Sequence, residues 1–114
     1  MDSEQLLEIA AKACDDKRAE NIVALDMREV SLIADYFLIC HGTNERQVDA
    51  ISKGIKDAVE EFGYQVKKIE GRDQSRWVLV DLEHVVVHIF HKDERDYYNL
   101  EKLWGDANRI QLTL

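Results

Sequence analysis

The chain has 114 residues and no proline, enough for one domain and too little for two. Its 46% hydrophobic and 33% charged residues allow a packed core, and no apolar run approaches the roughly 18 residues that span a bilayer as a helix. The net charge of −8 is uneven, −7 over residues 1–62 and −1 over the remainder, which argues against free nucleic acid as a ligand and suits a basic protein partner.

The acidic, amphipathic start, MDSEQLLEIAAK, lacks the basic residues and apolar stretch of a secretion signal, so a cytoplasmic protein is expected. Residues 3–18 read as a helix with Asp2 or Ser3 as N-cap and Leu6, Ala10, Ala13 and Cys14 on one side. Asn21–Asp26 and Tyr36–His41 are short apolar runs suited to buried strands, joined by a connection over 27–34. From Asn44 to Phe62, Val48, Ile51, Ile55, Val59 and Phe62 recur at steps of three or four, one apolar stripe on a helix. Asn44 and Gln47 offer a capping box, and Gly63 a stop.

Three strands are expected next, at Tyr64–Glu70, Arg76–Asp81 and His84–His91. With Leu82 and Glu83 as the turn, the last two form an antiparallel hairpin that pairs Trp77 with His88, Val78 with Val87, Leu79 with Val86 and Val80 with Val85. Both hairpin faces are apolar, so both need a cover, one from the domain's own helices and one from a partner. Residues 93–105 read as one or two short helices with Tyr97, Leu100 and Trp104 on a shared side, and 106–114 give no firm signal. The order implies a single α/β domain over residues 1–107, a five-stranded mixed sheet flanked by helices, with a tail over 108–114.

Motifs for chemistry are few. Cys14 and Cys40 lie in apolar patterns and read as buried thiols, with no CxxC pair. His84 and His88 would stand about 13 Å apart on a strand, with His91 on the opposite face, so the histidines do not make a metal site. No cofactor is implied. There is no DxD, P-loop, nucleophile elbow or dinucleotide fingerprint. An enzyme reading, a divergent nucleotidyltransferase-like or phosphate-handling domain, would have to centre on Asp35, Gly42 and Thr43. The second half instead gathers Trp77, Tyr97, Tyr98 and Trp104 with Arg72, Arg76 and Arg95, the residue types that dominate protein interfaces.

Asp35-Tyr36-Phe37-Leu38-Ile39-Cys40, Gly42-Thr43 and Arg46-Gln47-Val48 resemble a signature of the ribosomal silencing factor (iojap-like) family. Trp77–Asp81, Val85–Phe90, Arg95–Tyr98 and Leu100–Trp104 resemble its second half. The resemblance implies a nucleotidyltransferase-like fold without the catalytic acids, and a protein that is not an enzyme. It implies a translational repressor that binds the large ribosomal subunit through ribosomal protein fourteen of that subunit, at the face that meets the small subunit, and blocks subunit association. The partner surface would be the sheet face around Trp77, with Arg72, Arg76, Leu79, His88, Phe90, Arg95, Tyr97 and Tyr98. A homodimer through such a surface is a further expectation. Where the family has Gly-Asp before VVVH, this chain has Glu83-His84, which suggests a different turn.

Overall fold

A computed structural model describes residues 2–98, 107–112 and 114. The elements run α1 (Ser3–Asp16), β1 (Glu20–Asp26), β2 (Tyr36–Gly42), α2 (Glu45–Glu61), β3 (Lys68–Glu70), β4 (Trp77–Asp81), β5 (Val85–His91), α3 (Lys92–Tyr98) and β6 (Asn108–Ile110). Helix α1 starts at a complete capping box: the Asp2 carboxylate accepts from Gln5 N–H, and Gln5 Oε1 accepts from Asp2 N–H. At α2 the box is displaced by one residue. Asn44 Oδ1 accepts from Gln47 N–H, but Gln47 Oε1 accepts from Thr43 N–H and hydroxyl, not from Asn44.

Among the described residues the sheet has six strands, not five, in the order β3-β4-β5-β2-β1-β6, and of these only β2 and β5 run parallel. The sixth strand lies in the stretch read from sequence as a tail. Its three residues pair with the outer edge of β1, while Ile110 and Leu112 pack partly onto the core. An edge strand of three residues carries too little periodicity to register as a strand in sequence. The expected strand at Tyr64–Glu70 shortens to Lys68–Glu70 because residues 64–67 bring the chain from α2 to the sheet edge. There the Tyr64 hydroxyl donates to the Leu82 carbonyl. The helix expected over 93–105 is seen as α3 to Tyr98; Leu100 and Trp104 lie outside the described residues.

Helices α1 and α2 lie side by side on one face. Leu6, Leu7, Ala10 and Cys14 from α1, and Val48, Ile51, Ile55 and Val59 from α2, meet Ala24, Tyr36, Leu38, Cys40, Val78, Val80, Leu82, Val85, Val87 and Ile89 from the strands. The stripe read on α2 is therefore the core face for four of its five residues. Phe62, the fifth, stands past the last turn and is 64% exposed.

The hairpin register differs by two residues from the sequence expectation. Trp77 pairs with Phe90, Val78 with Ile89, Leu79 with His88, Val80 with Val87 and Asp81 with Val86. Leu82 is fully buried and its N–H donates to the Val85 carbonyl, so it behaves as a strand residue and the turn moves to Glu83-His84. A shift of two keeps every side chain on its face, since side chains alternate with a period of two. Glu83 sits at φ 74 with His84 N–H bonded to the Leu82 carbonyl, so the positive φ that a Gly would supply persists with a Glu in place. A left-handed non-Gly residue costs roughly 1–2 kcal/mol, offset here by the Asp81 carboxylate accepting the Glu83 N–H at 2.8 Å. Glu83→Gly is expected to raise the free energy of urea unfolding by about 0.5–1 kcal/mol, because relief of backbone strain exceeds the added chain entropy. A fall in stability would show that the Glu side chain contributes more than the strain.

Candidate docking surface

The second sheet face holds a smaller cluster: Leu25, Met27, Ile39 and Phe90 are buried, with Val23, Phe37, Trp77 and Ala107 packed against it and partly buried. Trp77 opens β4, and the preceding loop sets its position. Gly71 is at φ 84, and a Cβ there would collide with the Trp77 carbonyl oxygen. Ser75 N–H donates to the Gly71 carbonyl and Ser75 Oγ to the Arg72 carbonyl, closing the loop on itself. Arg72 Nε reaches Asp49 Oδ1 at 3.0 Å and moors the loop to α2. Arg76 donates from Nε and Nη2 to Glu94 Oε1, at 3.1 and 2.6 Å, tying the start of β4 to α3.

The Trp77 ring lies 5.1 Å from that of Phe90, tilted by 31°, and its Nε1–H donates to His88 Nδ1 at 3.2 Å. The sequence-predicted pair of Trp77 and His88 thus exists as a diagonal contact, with Leu79 directly opposite His88. The His88 ring meets Phe37 edge-on at 4.7 Å. An indole N–H can only donate, so Nδ1 must accept and the His88 proton sits on Nε2. Burial pushes the His88 pKa down to about 4, in keeping with a neutral ring. Among the described residues, Nε2 is the buried side-chain nitrogen or oxygen with no hydrogen-bond partner. An unsatisfied buried donor costs about 1–3 kcal/mol, a departure from the packing rules seen elsewhere in this core.

The named surface residues divide into two layers. Trp77, Leu79 and Arg76 are partly exposed, as are Phe37 and Val86 beside them, and Arg72 is exposed. Phe90, His88 and Arg95 lie beneath. Arg95 faces inward: its Nη1 donates to the Asn21 carbonyl at 2.7 Å, where Asn21 adopts φ 51 at the irregular start of β1, and lies 3.0 Å from His41 Nδ1. It anchors α3 to the sheet. Tyr97 and Tyr98 lie on the last turn of α3.

Two features escaped sequence reasoning. One is the depth of His88, since a histidine on a strand carries no signal of its own burial. The other is the apolar tip of the β1–β2 connection, where Ser31 Oγ accepts from Ile33 and Ala34 N–H and leaves Leu32 and Ile33 facing solvent. Cys14 and Cys40 are free, buried and 3.9 Å apart, and the Cys14 thiol pKa is raised by the hydrogen bond it shares with Cys40 and by burial. Among the described residues no three His, Cys, Asp or Glu side chains are grouped to hold a metal ion, and no helix is long and apolar enough to cross a membrane.

Residues 1–114 match the family model described as "Ribosomal silencing factor during starvation". The ribosomal silencing factor RsfS of Bacillus subtilis (strain 168) is 68% identical over 107 residues, covering 94% of this chain and 91% of that protein. The mouse protein named "Mitochondrial assembly of ribosomal large subunit protein 1" is 30% identical over 91 residues, covering 77% of this chain and 40% of its own length. A crystal structure from Bacillus halodurans superimposes with a TM-score of 0.86 at 54% identity, covering 96% of this chain and all of that one.

His88 has a pH consequence. Its folded pKa lies below the unfolded value near 6.5, so the unfolded chain binds more protons between pH 6.5 and 4. The contribution to stability is complete above pH 6.5 and is lost as pH falls, by about 3 kcal/mol at pH 4. Urea unfolding at intervals from pH 7 to 4 is expected to show this loss, and His88→Gln is expected to flatten it. Equal slopes in both proteins would mean that other groups carry the dependence. Asp26, whose pKa is lowered by its hydrogen bond to Arg28, acts only at still lower pH.

Proposed function

This chain belongs to the ribosomal silencing factor family, and from that premise we propose that it represses translation by docking on the large ribosomal subunit. The contact is ribosomal protein fourteen of that subunit at the intersubunit face, and the effect is steric: with the site occupied, the small subunit cannot join. The observation that carries the reading is Trp77, a half-buried indole fixed by His88 and Phe90 among partly exposed Leu79, Phe37 and Val86. Such an aromatic offers large apolar area at little entropic cost, because its orientation is already set in the free chain. The mouse relative's name, which refers to the ribosomal large subunit, supports the choice of subunit.

The domain acts in the cytoplasm without catalysis, on a nucleotidyltransferase-like frame that has lost its acids. A phosphate-handling site is disfavoured by the placement of its proposed members. Asp35 precedes β2 and Thr43 follows it, roughly 25 Å apart along an extended strand. Thr43 N–H and hydroxyl, the donors that would meet a phosphate, both go to Gln47 Oε1. A homodimer through the Trp77 surface would compete with docking.

Trp77→Ala is expected to fold with an unchanged circular dichroism spectrum and to weaken co-sedimentation with isolated large subunits at least tenfold, the effect of removing an anchor worth about 2 kcal/mol. Retained co-sedimentation would remove Trp77 from the interface.

A further inference from the structure

The outer surface of the helical layer, away from the sheet, carries a groove between α1 and α2 of about 330 Å³. Ile9 and Ala13 from α1 and Ala58 from α2 line it, and Phe62 stands at its end. The two alanines allow close approach of another backbone, and Phe62 is the residue by which the α2 stripe outruns the core. An aromatic residue 64% exposed beside an apolar trough leaves most of its area uncovered by this fold. The flanks are charged: Glu8, Asp16 and Glu61 against Lys12 alone.

We propose that this groove receives a basic amphipathic helix from a second protein, laid between α1 and α2 with its large apolar side chains over the alanines and against Phe62. The trough has the geometry of helix-in-groove recognition, in which a third helix completes a layer of two. The acidic flanks select for Lys and Arg on that helix. They also exclude nucleic acid, and they disfavour a second copy of this chain, whose own charge is −8. The groove and the Trp77 surface lie on opposite sides of the sheet, so one chain can hold the ribosome and this partner together.

The test uses a synthetic 14-residue helix of Lys and Leu, with Leu at steps of three and four, and a scrambled peptide of the same composition. Both are titrated into the full isotope-labelled chain while amide shifts are followed. Saturable shifts at Ile9, Ala13, Ala58 and Phe62, at least tenfold weaker binding of the scrambled peptide, and affinity that falls with salt are the expected results. Phe62→Ser should weaken binding at least tenfold without altering the fold, and Glu8→Lys with Glu61→Lys should weaken it and reduce its salt dependence. Trp77→Ala should bind the helix as the unaltered chain does, which separates this proposal from the ribosome-docking reading. Equal binding of both peptides, shifts centred on the Trp77 surface, no saturable binding, or groove shifts that depend only on the chain's own concentration would each overturn it.

Discussion

Strand β5 is paired on both edges, parallel to β2 and antiparallel to β4, and five of its seven side chains are buried, divided between two faces. Val85, Val87 and Ile89 point into the helices, and His88 and Phe90 point away from them. A strand buried on both sides must sit in mid-sheet, and α1 and α2 supply cover for one side only. The other side is closed over Phe90, Ile39, Leu25 and Met27 but left partly open at Trp77, Leu79, Phe37 and Val86. The candidate surface is thus a border: it begins where the second cluster stops being sealed.

At that border the aromatic residues matter more than the arginines. Arg72 is engaged by Asp49 and Arg76 by Glu94, while Arg95 serves the backbone at Glu20 and Asn21. Exposed pairs of this kind contribute at most about 1 kcal/mol to stability, but each also lowers the net charge its arginine presents. The arginines that read in sequence as interface residues are, in three dimensions, a set of struts holding the β3–β4 loop and α3 in place around one indole. A basic partner would meet aromatic area framed by neutralised cations, which avoids the repulsion that free arginines would cause.

The helices, five of the strands (β3 shorter than expected) and the two-faced hairpin were legible in the sequence because their periodicities are long enough to count. The register was not, since Leu82-Glu83 and Glu83-His84 are equally plausible two-residue turns. Burial of Leu82 decides between them, and burial is a tertiary property. The alternation of faces survived because the error was even. β6 was missed because three residues against an edge are fixed by pairing with β1 and not by their own pattern. In the site, Trp77 could be singled out by residue type. The inward turn of Arg95 could not, because it depends on carbonyls some 74 positions away that are exposed by a left-handed Asn21.

The same contrast explains why Phe62 is informative. Its spacing continues the core stripe of α2, so a helix one turn longer would bury it. Instead the helix ends at Glu61, Phe62 is the C-cap, and Gly63 at φ 83 turns the chain toward the sheet edge. Tyr64, two residues on, takes a place against the core and gives its hydroxyl to Leu82. The aromatic needed to close the end of the helical layer is thus supplied from beyond the turn. A second bulky ring is left outside it, beside alanines and between acidic flanks, with most of its area uncovered.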